Sequence, residues 1–93
     1  MEHFRVLEDE LFRFDGSAWF WYECNDLGDA VRFMLMLDDG RRFRYDTAHA
    51  TDEYWMMPDK KLTFAQVRNT QKAWVTLEEF DEEWNRGPWA NDT

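Results

Sequence analysis

Cysteine, glycine, proline and histidine are all scarce in this chain, and each scarcity excludes something. The 93 residues hold one cysteine, four glycines, two prolines and two histidines. A lone Cys24 cannot close an internal disulfide, so the fold needs no staple, as expected in a reducing, intracellular compartment. His3 and His49 stand at no spacing to Cys24 or to each other that matches a zinc site or a Cys–His nucleophile pair. No apolar run approaches the roughly 20 residues of a membrane span, so no membrane partner is expected. The opening Met1–Arg5 shows no basic leader followed by an apolar stretch, and a cytoplasmic location is the expectation. There is no repeat, low-complexity tract or linker, so residues 1–93 read as a single domain.

Aromatic side chains and carboxylates are abundant. Six Trp, eight Phe and three Tyr give a small chain the buried area it needs to fold. Twenty acids against 11 bases leave a formal charge of −9. That charge repels nucleic acid and anionic membranes and attracts cationic partners. It is also segregated. Residues 1–30 carry a net −6, residues 31–72 a net +2, and residues 73–93 a net −5.

Periodicity predicts an α+β fold: a four- or five-stranded antiparallel meander with C-terminal helices packed on one face. Residues 11–57 read as the sheet region, 63–86 as helical and 87–93 as a tail. Leu11–Phe14, Ala18–Cys24, Ala30–Leu37 and Arg41–Tyr45 are the predicted strands, with a short fifth at Tyr54–Met57. Val31, Phe33, Leu35 and Leu37 alternate on one face of the third. Asp39-Gly40 is a strong hairpin signal between two alternating runs. The stretch 3–10 fits either a strand or one or two helical turns. Thr63 with Gln66, and Thr76 with Glu79, have the spacing of capping boxes. They predict helices over roughly 63–73 and 76–86, the second stopped by Gly87-Pro88. The competing reading of 62–76 is a hairpin around Asn69-Thr70.

The candidate contact surface is the acidic C-terminal helix. Leu77, Phe80 and Trp84 share one face at i, i+3, i+7 and should point to the core. Glu78, Glu79, Glu82 and Glu83 should then project outward, with Asp81 at the margin. Glu78 with Glu82, and Glu79 with Glu83, are like-charge pairs that cost a few tenths of a kcal/mol each. A solvated face explains them blandly. A ladder of carboxylates presented to a cationic groove explains them functionally, since charge dominates the binding of nucleic acid itself. Glu8, Asp9 and Glu10 extend that surface if the two ends meet. Trp89, beyond Pro88, is either an exposed contact residue or a plug formed by the tail folding back.

Other clusters point elsewhere. Arg42 and Arg44 alternate with Phe43 and Tyr45, so charge and rings on that strand face apart, and direct nucleic-acid binding is not expected. Trp19, Phe20, Trp21 and Tyr22 require either a strand covered on both faces or an exposed aromatic patch. Asp26 with Asp29, and Asp38 with Asp39, are turn formers before they are ligands. No catalytic residue, cofactor or metal is assigned.

In size, acidity and aromatic content the chain is similar to small phage-encoded inhibitors of bacterial defence, the anti-CRISPR and anti-restriction proteins. That resemblance is one of composition and rests on no motif. It implies a non-enzymatic inhibitor, possible DNA mimicry included, that binds a basic protein such as a nuclease or another nucleic-acid-binding protein. Two alternatives stay open: an immunity protein masking a basic nuclease toxin, and a structural or adaptor subunit using an aromatic patch around Trp19–Tyr22 or Trp55. A homodimer stays open as well.

Overall fold

Alternation of large apolar and polar side chains builds a sheet with two buried faces. A computed structural model describes residues 1–9, 11 and 13–91. Its five strands are β1 (Glu2–Glu8), β2 (Ala18–Cys24), β3 (Ala30–Leu37), β4 (Arg42–Asp46) and β5 (Lys72–Trp74). They form one antiparallel sheet in the order β4-β3-β2-β1-β5. The first four are a meander. The chain then crosses back to pair β5 with the free side of β1, and one helix, α1 (Leu77–Trp84), follows. The α+β architecture, with C-terminal helix on one face, is that expected from the sequence.

The register fixes which side chains share a face. Phe4, Val6, Tyr22, Phe33, Leu35, Phe43 and Tyr45 form one buried cluster, covered by the loops carrying Leu11, Phe14, Trp55, Met57, Leu62 and Phe64. The opposite face gives Trp21 and Met34 to a second cluster with Phe80 of α1 and Trp89 of the tail. The aromatic run Trp19–Tyr22 is therefore covered on both sides. The β3–β4 turn ends at Gly40, whose φ of 94° lies in the left-handed region that glycine adopts freely.

Several boundaries differ from the sequence reading. Leu11–Phe14 is not a strand: Leu11 and Phe14 pack against the first cluster from a loop, while Phe12 lies outside the described residues. The strand is Glu2–Glu8, so the ambiguous opening resolves as β1. Tyr54–Met57 contributes only an isolated bridge between Met56 and Thr51. The expected helix over 63–73 is a single 3-10 turn at Phe64–Gln66, and the alternative hairpin is absent too. The capping interaction does form, with the Gln66 side chain accepting from the Thr63 N–H at 3.1 Å. The turn stops because Val67 goes extended, and residues 72–74 gain a ladder on β1 that a helix would forfeit.

Candidate functional site

The helix α1 is started by its capping box. The Thr76 hydroxyl accepts from the Glu79 N–H at 3.0 Å, and the Glu79 carboxylate accepts from the Thr76 N–H at 2.9 Å. That second bond, with the Thr76 side chain, holds the Glu79 carboxyl below its ordinary range. Phe80 is fully buried and Trp84 half-buried, as the periodicity predicted. Leu77 is exposed instead, because the helix begins at the sheet's edge just after β5.

On the sheet face beneath α1, Arg5 lies over Trp19 and Trp21, and Arg32, Arg42 and Arg44 bond the helix. Arg32 on β3 donates from Nε and Nη2 to both oxygens of Glu23, at 2.7 Å each. Its Nη2 also reaches Asp81 at 2.7 Å, and its guanidinium lies 4.8 Å from the centre of the Phe80 ring. The His3 ring bonds Glu23 at 2.8 Å. The Arg32 hydrogen bonds hold the Glu23 carboxyl below its usual range; burial opposes them, and His3 adds to them. Arg42 on β4 donates to the Glu83 carboxylate at 2.8 Å and to the Glu83 carbonyl at 2.9 Å. Arg44 donates to the Trp84 carbonyl at 2.8 Å. These bonds tie the helix to the sheet across strands far apart in sequence.

This geometry corrects the expected ladder. Glu83 does not project outward: its side chain is 19% exposed and faces Arg42 and Arg86. Asp81 is committed to Arg32. Both are held by arginines some 40 to 50 residues upstream, which helical periodicity cannot reveal. Glu78, Glu79 and Glu82 remain exposed. Of these, Glu82 pairs with Arg86 at 2.8 Å on the surface, and Glu78 has no partner among the described residues. The like-charge pairs are thus relieved: Arg42 neutralises Glu83, and Arg86 bridges Glu82 and Glu83.

Trp89 is the plug rather than an exposed contact. It is 6% exposed and packs beside Trp84, with the Arg42 and Arg44 guanidiniums 4.7 and 5.2 Å from its ring centre. Arginine and aromatic ring do cooperate here, contrary to the reading of β4 alone, because the rings come from the tail and helix. The N-terminal acids lie elsewhere. Glu8 shares the face of Phe4 and Val6, opposite α1, so Glu8 and the helix do not form one surface. Burial, with neighbouring Asp9, pushes the Glu8 carboxyl up. Asp9 is exposed, and Glu10 lies outside the described residues.

Two hollows lie on the surface of the described residues. One, of about 430 Å³, has apolar walls of Phe20, Tyr22, Phe33, Trp55 and Met57, with Arg13 and Asp59 at its rim. A smaller one, of about 240 Å³, is polar and lined by Arg44, Tyr45, Asp46, His49 and Asn91. Next to it Asp52 accepts from Tyr45 Oη at 2.8 Å and bonds His49 and Asn91 at 3.0 Å. Partial burial pushes the Asp52 carboxyl up, but the hydrogen bonds from His49, Asn91 and Tyr45 outweigh it and hold the group well below the usual carboxylate range. Asp52 is thus fully engaged in pinning its own loop. Among the described residues no cluster of His, Cys, Asp and Glu is arranged to hold a metal ion, and no helix is long and apolar enough to cross a membrane. No protein-family model, curated protein or solved structure matches this chain.

Proposed function

We propose that the protein is a non-enzymatic inhibitor that lays the outer face of α1 against a cationic groove of a nucleic-acid-handling protein, such as a nuclease, and blocks it. The observation that supports this is the way α1 is held. Its inner carboxylates, Asp81 and Glu83, are spent on Arg32 and Arg42, which fixes the helix on the sheet. Its outer carboxylates, Glu78, Glu79 and Glu82, then stand exposed on a rigid element in a chain of charge −9. A fixed row of charge gives up little freedom on binding and steers a cationic partner from a distance. The Glu82–Arg86 pair is exposed and therefore weak, so a partner's cation can displace Arg86. An intracellular nuclease or toxin as target would place the protein in the cytoplasm, and an immunity protein masking a toxin would work by the same physics.

Replacing Glu78, Glu79 and Glu82 together by Lys tests this. The partner's affinity should collapse, and the salt dependence of binding should flatten; because the change also removes the Glu79 bond that caps α1, circular dichroism and urea unfolding accompany it to verify that the helix persists. Retained affinity with unchanged salt dependence would overturn the proposal.

A further inference from the structure

The larger hollow has a fixed wall and an unused donor. Its floor is the sheet, with Phe20 and Tyr22 of β2 and Phe33 of β3, and its far wall is the loop carrying Trp55 and Met57. The floor rings brace one another: Tyr22 and Phe20 lie against Phe33 with centres 5.2 and 5.4 Å apart, and Trp55 stands edge-on to Phe20 at 5.8 Å. The loop is pinned along its length. Asp52 accepts from the N–H groups of Tyr54 and Trp55 at 2.9 and 3.2 Å, and Met57 N–H donates to the Ala50 carbonyl at 2.8 Å. Arg13 donates to the Glu53 and Tyr54 carbonyls at 3.0 and 3.4 Å. A hollow with walls fixed in this way demands little ordering from the protein when a ligand enters.

Tyr22 is only 7% exposed, yet its hydroxyl makes no hydrogen bond among the described residues. A buried tyrosine hydroxyl ordinarily finds a partner. This one is not sealed in the core either: the sealed side-chain atoms without a partner are Arg5 Nε, Trp21 Nε1 and Arg42 Nε. Tyr22 lines the hollow, so its hydroxyl meets whatever fills it. Burial first, and then Glu8 and Cys24, push its ionisation up, which keeps the hydroxyl a donor. The rim carries one charge of each sign, Arg13 and Asp59, and the floor carries none. An ion moved among these rings would forfeit its hydration. An anion would also meet the Glu8 charge felt at Tyr22, in a chain of charge −9. A cation finds no cage, because the rings pack against one another rather than encircling a gap.

We infer that the hollow between β2, β3 and the Trp55 loop binds a small uncharged molecule with a flat, ring-bearing body and one carbonyl-type acceptor. The body lies between Trp55 and the floor rings, and the acceptor takes the Tyr22 hydroxyl. The volume of about 430 Å³ falls within the roughly 300–1,000 Å³ of small-molecule sites, and apolar walls with one placed donor are their usual construction. The inference is independent of the outer carboxylates of α1, because the hollow opens on the sheet face opposite that helix.

The test is fluorescence titration with prodan, a neutral naphthyl ketone whose emission shifts to the blue when it leaves water. Ethylnaphthalene, which lacks the ketone, naphthoate and a naphthylmethyl trimethylammonium are ranked by their displacement of it. Saturable binding is expected, with both ions displacing prodan at least about tenfold less well than ethylnaphthalene. Tyr22→Phe keeps the ring and removes a hydroxyl that bonds nothing among the described residues, so the fold should persist. It should weaken prodan about threefold to tenfold and leave ethylnaphthalene unchanged. Met57→Trp fills the hollow and should abolish binding of both. Trp74→Ala removes the 57% exposed ring at the β5 edge and should change neither. Tyr22→Phe decides the matter even where Met57→Trp unfolds the chain. The inference is overturned by an absence of saturable binding, by equal prodan affinity in Tyr22→Phe, or by an equal loss of ethylnaphthalene there. It is overturned as well by an ion that displaces prodan as well as ethylnaphthalene does, by binding that survives Met57→Trp, or by binding lost in Trp74→Ala.

Discussion

Replacing Arg32 by Met removes one guanidinium and strands one buried charge. The Glu23 side chain is 6% exposed and is bonded twice by Arg32 and once by the His3 ring. Losing one partner of a buried pair typically costs 3–5 kcal/mol, because the other charge is left without compensation. Two features place this site at the low end. Arg32 is itself 21% exposed, and His3 stays beside Glu23. The pair with Asp81, 46% exposed, adds well under about 1 kcal/mol. The expected loss is about 3 kcal/mol, or about 12–24 °C in Tm for a domain of this size. Urea unfolding followed by tryptophan fluorescence measures it. The pH dependence carries a sign. In the wild type the Glu23 carboxyl is depressed, so its contribution is present above the ordinary glutamate range and is lost as pH falls through the depressed value. In Arg32→Met burial acts largely unopposed and raises that group, so the gap between the two proteins should narrow on acidification. Adding Glu23→Gln to Arg32→Met should recover about 1 kcal/mol or more by removing the stranded charge. A loss below about 1 kcal/mol, or no recovery in the double variant, would refute the reasoning.

Other sites give simpler expectations. Trp89→Ala should cost about 3 kcal/mol in the same urea assay, since it empties the space between Met34, Trp84 and the Arg42 guanidinium; a cost below about 1 kcal/mol would show that the tail is not packed. Burial pushes the Cys24 thiol up to about 11, so it should react with a thiol reagent at pH 8 only in denaturant; prompt modification of the folded protein would contradict that. Gly16→Ala should cost more than Gly40→Ala, roughly 2 against 1 kcal/mol. Both glycines have left-handed φ, but a Cβ at Gly16 would stand 2.5 Å from the Asp38 carboxylate, while one at Gly40 meets nothing.

Local signals in the sequence carried the centre of the sheet. The alternation along β2 and β3 and the Asp39-Gly40 turn are enough to make β2, β3 and β4 adjacent antiparallel strands. The capping box at Thr76 located α1 almost to the residue. What could not be read depends on partners distant in the chain. Residues 72–74 are too short to announce a strand, and they form one only because β1 offers a free edge. The Thr63 capping signal was real but local, and it could not report that the turn would end after Gln66 with the Phe64 ring stacked on Trp74. In the candidate site, helical spacing placed Phe80 inward and Glu78, Glu79 and Glu82 outward. It misplaced Glu83 because Arg42 arrives from β4, and it left open whether Trp89 was buried because its neighbours come from β3, β4 and α1. Trp74 was passed over because exposure is set by sheet order, and nothing in its flanking residues states that order.

The proposed inhibition depends on the outer carboxylates of α1 meeting a cationic groove. The most direct measurement is isothermal titration of the natural partner, recovered by pull-down and purified, against wild-type protein and the Glu78, Glu79 and Glu82 to Lys variant at low and high salt. The prediction is wild-type binding that weakens steeply with salt, by about tenfold or more, and almost no binding by the variant. Equal affinity of the two proteins, with little response to salt, would contradict it.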